Sequence, residues 1–265
     1  MKRAPAVAGR FYPGDKKGLE NDLRSRVDTI DNKIHAQGII APHAGYMYSG
    51  NVAGSVYSRI EIPDTIILLG PNHTGDGPPI SAMTEGLWST PLGDIEIDAE
   101  IAKSICKASP KIQSSAKAHQ REHSLETQLP FLQYFRSSFR IVPICFMRSA
   151  WEDCLHTAKA ILEGIGEKKV LIVASSDMNH YESHDKTKSK DRLAIEKILA
   201  LDPKGLYETV RKEEISMCGV VPASIMLLCS KKLGAKKSKL IRYQTSGEIN
   251  KDFGQVVGYA GMAVY

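Results

Sequence analysis

Five short runs rich in isoleucine and valine, set at wide intervals, constrain the fold of this chain more than any other feature. They are Gly38-Ile39-Ile40-Ala41, Thr65-Ile66-Ile67-Leu68-Leu69, Arg140-Ile141-Val142-Pro143-Ile144-Cys145, Val170-Leu171-Ile172-Val173-Ala174 and residues 256–264 (VVGYAGMAV). Runs that are apolar at nearly every position suit strands covered on both faces, because an alternating pattern would leave one face in water. Between them lie amphipathic stretches with helical spacing at Lys16–Ile30, Ser49–Ile60, Asp98–Ala108, Ser124–Phe135, Trp151–Gly164, Lys186–Leu201 and Gly219–Leu233. The alternation predicts an α/β fold, a central mixed sheet with helices on both faces. No repeat, low-complexity tract or linker interrupts it, and Gly75-Asp76-Gly77-Pro78-Pro79 reads as a loop, so residues 1–265 are expected to form one domain.

With 42% hydrophobic and 25% charged residues the composition is that of a globular domain. A chain of this size buries roughly three quarters of its unfolded surface, so neither disulfides nor a structural metal is needed for folding. The formal charge of +5 is dispersed among acids, which argues against a nucleic-acid partner. The densest basic cluster, Lys231, Lys232, Lys236, Lys237 and Lys239 around Gly234, reads as a helix end followed by a turn. The first ten residues do not make a signal peptide and no apolar run is long enough for a bilayer, so no membrane association is expected. Five cysteines with no CxxC pair fit a reducing, cytoplasmic setting. Cys106, Cys145, Cys154 and Cys229 fall inside helix or strand patterns and are expected to be buried; His35, His119, His156 and His184 read as surface residues.

Chemistry gathers where three of the apolar runs end: Ala41-Pro42-His43-Ala44-Gly45-Tyr46, Gly70-Pro71-Asn72-His73-Thr74 and Ser175-Ser176-Asp177-Met178-Asn179-His180. One such histidine would read as a turn residue; three in parallel positions point to a metal, since ligands of open α/β sheets sit beyond the carboxyl ends of strands. Two imidazoles and one anionic ligand leave positions open for substrate. Cys218 is the candidate third ligand, placed at a helix start whose dipole would lower its thiol pKa, although a small buried hydrophobe is an equal reading of the residue alone. A second constellation, Glu122-His123-Ser124-Leu125-Glu126, would put His123 and Glu126 on one helical face as a substrate clamp. Equally, it reads as a helix start with Glu122 at the dipole. Glu126 or Asp177 would accept the outward N–H of a metal-bound histidine.

Together these motifs resemble the Memo family, known as protein B of the AmmeMemoRadiSam system, and more distantly the class III extradiol dioxygenases. The likeness runs nearly end to end, through Ala8-Gly9-Arg10-Phe11-Tyr12, the His43 and His73 motifs, residues 122–126, Ser175-Ser176-Asp177, His180, Cys218-Gly219 and Gly258-Tyr259-Ala260-Gly261. The resemblance implies a dioxygenase-like fold in which His43, His73 and Cys218 match metal-ligand positions, Asp177 and His180 match further site residues, and Tyr48 matches a tyrosine near the site. It also implies a functional link to a radical SAM enzyme. The dioxygenases carry a carboxylate as third ligand, so Cys218 departs from the ring-cleaving pattern, and Phe11 stands where animal members often have tryptophan.

Three functions follow as expectations. The first is a metal-dependent oxidoreductase holding one ion, Fe(II) or copper before zinc, with His180 moving a proton and Asp177 orienting a neighbour. The second is a non-catalytic cleft that docks a peptide through Phe11, Tyr12, Tyr46 and Arg10. The third is a zinc hydrolase with Asp177 or Glu126 as base. The partner is a small molecule or peptide.

Overall fold

The structure, a computed structural model, describes residues 1–147 and 149–265. Along the first half run β1 (Lys2–Arg3), α1 (Lys16–Arg26), β2 (Gly38–Ala41), α2 (Tyr46–Tyr57), β3 (Thr65–Pro71), β4 (Ile80–Ala82), β5 (Leu87–Thr90), β6 (Gly93–Ile97), α3 (Ala99–Ala108), β7 (Gln113–Ser114) and α4 (Lys117–Gln120). A 3₁₀ turn, Glu126–Gln128, then leads into α5 (Leu129–Phe135) and β8 (Arg140–Phe146). The second half carries α6 (Trp151–Ile165), β9 (Val170–Ser175), β10 (His180–Glu182), α7 (His184–Leu199), α8 (Pro203–Lys212), α9 (Val220–Lys232), β11 (Ser238–Thr245), α10 (Gly247–Asn250) and β12 (Val256–Val264).

The strands join one mixed sheet in the order β1-β5-β6-β8-β3-β9-β2-β12-β10, with β11 on β12 and the β4 and β7 pair attached at β8. Its centre is the parallel set β8-β3-β9-β2. Every residue of β2, β3 and β9 is buried, as their unbroken apolar runs require. Each buried Ile, Leu or Val there contributes about 1.5–3 kcal/mol relative to exposure.

Both faces are covered. Gly38 and Val264 lie opposite each other in an antiparallel pair and so share a face, and a Cβ on Gly38 would strike Met226 of α9. Gly261 has the opposite parity, and a Cβ there would strike Val56 of α2. Thus α9 lies on one face and α2 on the other, and both approach closely because glycine stands beneath them.

Several elements depart from the sequence reading. Helix α1 stops at Arg26, α2 begins at Tyr46, and the stretch from Ser124 is not helical until Glu126. The turn expected around Lys236 to Lys239 gives way at Ser238 to an eight-residue strand paired along β12. Helix α8 was not expected, although Asp202 caps it by accepting from the Gly205 N–H and Pro203 opens its first turn. Cys145, Cys154 and Cys229 are buried as expected, while Cys106 is half-buried. His119, expected at the surface, is fully buried, with Nε2 3.1 Å from the Ser81 carbonyl oxygen. Among the described residues no helix is long and apolar enough to cross a membrane.

Candidate metal centre

Because β3, β9 and β2 are parallel neighbours, their carboxyl ends open on one edge of the sheet. His43 lies two residues past β2, His73 two past β3 and Asp177 two past β9. Cys218 reaches the same edge just before α9, where Gly219 must be glycine: a Cβ would lie 2.5 Å from the Ser175 carbonyl oxygen. The donor atoms of His43, His73 and Cys218 all lie within 4.8 Å of one another.

The hydrogen bonds around the two histidines fix their tautomers. Ser175 Oγ donates to the Ser124 carbonyl at 2.6 Å, so toward His43 Nδ1, at 2.9 Å, it accepts. Nδ1 of His43 therefore carries the proton, and Nε2, 3.3 Å from Cys218 Sγ, presents its lone pair. His73 Nδ1 lies 2.9 Å from the Glu122 carboxylate and is likewise the protonated nitrogen, which leaves its Nε2 bare. Burial, with the neighbouring imidazoles, holds His43 well below the usual histidine range and hence neutral.

Glu122 is fully buried and accepts the backbone N–H of His73, the His73 ring N–H, and the N–H groups of His123 and Ser124 at 2.8 Å each. Burial alone would raise its pKa; the bond and charge of His73, the Ser124 N–H and His123 overcome this and hold it at about 2. For His73 burial pulls downward, but the hydrogen bond and charge of Glu122 leave the ring raised. The carboxylate behind His73 is thus Glu122. Glu126, expected in that role, is spent on Arg3 (2.7 Å), the N–H groups of Ala6 and Val7, and the Tyr12 hydroxyl (2.5 Å). Since residues 122–125 are not helical, the expected His123 and Glu126 face does not form.

Cys218 departs from expectation in its acidity. Burial, reinforced by the Asp177 carboxylate, pushes the thiol far up, outweighing the Asp177 N–H that points at Sγ from 3.3 Å and any effect of the helix start. A cation is what would draw the proton off, since binding of a metal by thiol releases protons. The donor set fits one: two imidazole Nε2 atoms and a sulfur, with a 3.3 Å Nε2 to Sγ separation. An ion with metal–nitrogen bonds of about 2.0 Å and metal–sulfur bonds of about 2.3 Å sets its ligands roughly 3.3–3.7 Å apart.

The remaining sequence candidates scatter around this trio. Asp177 is buried, accepts the His43 N–H at 2.8 Å and has Oδ2 4.0 Å from His43 Nε2; desolvation raises its pKa. His180 is half-buried at the start of β10 with Nδ1 2.9 Å from the Ser216 carbonyl, a bond that only N–H can make, so Nε2 is its proton-accepting atom. His123 adds a third imidazole, stacked on His73 at 4.7 Å and 5.6 Å from His43, with Phe11 edge-on at 4.8 Å. Tyr48 is half-buried in the first turn of α2. Tyr12 and Tyr46 are only 3% exposed, their hydroxyls bonded to Glu126 and to the Thr127 carbonyl, and are core residues rather than a docking surface. Sequence reasoning passed over Glu122, Ser175 and Gln128 as supports of the site; Gln128 binds Ser175 Oγ from 47 positions away, a relation visible only in the fold.

Comparison with known proteins is decisive about kinship. The family model described as Memo-like protein matches residues 3–263. The chain belongs to the Memo-like family. A MEMO1 family protein of Methanopyrus kandleri is 41% identical, the match covering 99% of this chain and 98% of the relative. One from Aquifex aeolicus is 44% identical, covering 98% of each, and one from Methanosarcina barkeri is 42% identical, covering 99% of each. In this Memo-like chain a cleft of about 630 Å³ opens beside the centre, with His73 and Cys218 in its wall.

Proposed function

We propose that this Memo-like protein binds one transition-metal ion, Fe(II) or copper, through Nε2 of His43, Nε2 of His73 and Sγ of Cys218, and acts as a metal-dependent oxidoreductase on a small molecule in the adjoining cleft. The observation that carries the reading is that both Nδ1–H groups are already spent, on Ser175 and Glu122, so that two bare Nε2 atoms gather with a thiol. Two imidazoles and one thiolate suit iron, copper or zinc, and iron or copper held by three ligands supplies electron transfer with positions left for substrate. The chain's own part is positioning and proton transfer. Asp177 anchors the His43 backbone, and Glu122 anchors both the ring and the backbone of His73. His180 lies outside the lining of the cleft but is held by Ser216, next in the chain to Met217 of its wall, and we assign it the proton transfer at Nε2.

Of the four residues expected to dock a peptide, Tyr12 and Tyr46 are largely buried, while Phe11 and Arg10 remain accessible. For the redox reading, protein purified anaerobically and loaded with Fe(II) or Cu(I) is analysed for metal and cycled between dithionite and air under electron paramagnetic resonance. Wild type is expected to hold one equivalent and to change oxidation state reversibly, and His43→Ala to hold none. Equal metal in the two proteins, or an ion that never changes state, would overturn it.

A further inference from the structure

The cleft beside the centre is apolar along most of its wall, where Phe146, Met147, Ile215, Met217 and Val221 face it. Among the described residues one arginine stands with them. Arg211, in the last turn of α8, is held rather than loose: its guanidinium lies 4.4 Å over the Tyr207 ring, and one N–H reaches the Ser149 carbonyl at 3.2 Å. Tyr207 is fixed in turn, its hydroxyl donating to the same carbonyl at 2.9 Å. Two neighbouring acids have other cations, Glu208 with Lys204 and Glu213 with Lys212. The guanidinium thus keeps most of its five donors in a planar fork for a ligand.

We infer that this cleft takes a small amphiphilic monocarboxylate, its apolar body against the Phe146 to Val221 wall and its carboxylate on Arg211. The charge balance selects the class. Exposed Glu214 lines the same cleft, so in the metal-free protein one cation, Arg211, and one anion face the ligand among the described residues. A monoanion can pair with Arg211 while keeping away from Glu214; a phosphate dianion or nucleotide would meet more repulsion than one arginine offsets. The volume suits a compact organic molecule rather than a folded peptide. Taking this occupant for the substrate rests on the proposed function, but its binding needs no metal.

The test exploits that separation. Hexanoate, octanoate and 3-phenylpropionate, each beside its neutral amide, are titrated by calorimetry into metal-free wild type and into Cys218→Ser, Arg211→Gln, Arg211→Lys and Val221→Trp. The account expects at least one acid to bind about tenfold more tightly than its amide, in wild type and Cys218→Ser alike. In Arg211→Gln the acid falls to the level of its amide, which is unchanged; Arg211→Lys lies between, and Val221→Trp weakens both. Binding that persists while metal loading fails would uphold the cleft and sink only the redox reading. No binding of any acid up to about 10 mM, or acid and amide bound equally with Arg211→Gln unaltered, would overturn the inference.

Discussion

His73 owes its tautomer to Glu122, and the loop carrying His73 is tied to the same carboxylate through its backbone. Glu122→Gln keeps the shape but gives up the charge and part of the accepting capacity, so metal affinity is expected to fall about 10–100-fold in competition with a chelator; unchanged affinity would assign Glu122 to folding alone. The two acidic residues of this motif divide the labour. Glu126 closes a fully buried ion pair with Arg3, which also binds the His119 and Glu122 carbonyls. Glu126→Ala leaves Arg3 buried without its partner, and urea denaturation should show a loss of about 3–5 kcal/mol. The sequence put His43, His73 and Cys218 within view because two of them follow apolar runs. It could not rank Glu122 over Glu126, since that depends on where residues 122–125 leave helical geometry and on a contact spanning 49 positions.

At the scale of elements, the five apolar runs were legible because central strands buried on both faces must be apolar throughout. The hairpin of β5 and β6 was not, as its strands are short and only partly buried. Strand β11 was hidden by Lys239, Arg242 and its largely half-exposed surface. Helix α8, by contrast, had a readable Asp-Pro start. Helix α9 matters most to the centre, because its N-terminal approach sets Cys218. A Cβ at Gly219 would lie 2.4 Å from Ser176 Cβ as well as against the Ser175 carbonyl. Gly219→Ala is therefore expected to push the helix start outward, costing about 1–3 kcal/mol of stability and roughly tenfold in metal affinity. Metal affinity equal to wild type would show that Cys218 does not depend on this contact.

Across the whole molecule, one buried carboxyl links α7, β11 and the loop that follows β9. Asp191 is fully buried, accepts the Asn179 N–H at 2.8 Å and the Tyr243 hydroxyl at 2.7 Å, and is raised by desolvation to about 7 despite both bonds. An unfolded aspartate releases its proton near 3.9. Between about pH 4 and 7 the folded chain thus keeps a proton the unfolded chain has lost, so stability falls as pH rises through that window. Asp191→Asn should match wild type near pH 4 and be the more stable protein above pH 7; denaturation curves that stay parallel would contradict this.

The central claim concerns three residues, and X-ray absorption at the metal edge of iron- or copper-loaded protein tests it most directly. The account predicts one sulfur at about 2.3 Å together with imidazole nitrogens near 2.0 Å, the sulfur lost in Cys218→Ser. A shell of oxygen and nitrogen alone in wild type, or one unaltered by that substitution, would contradict it.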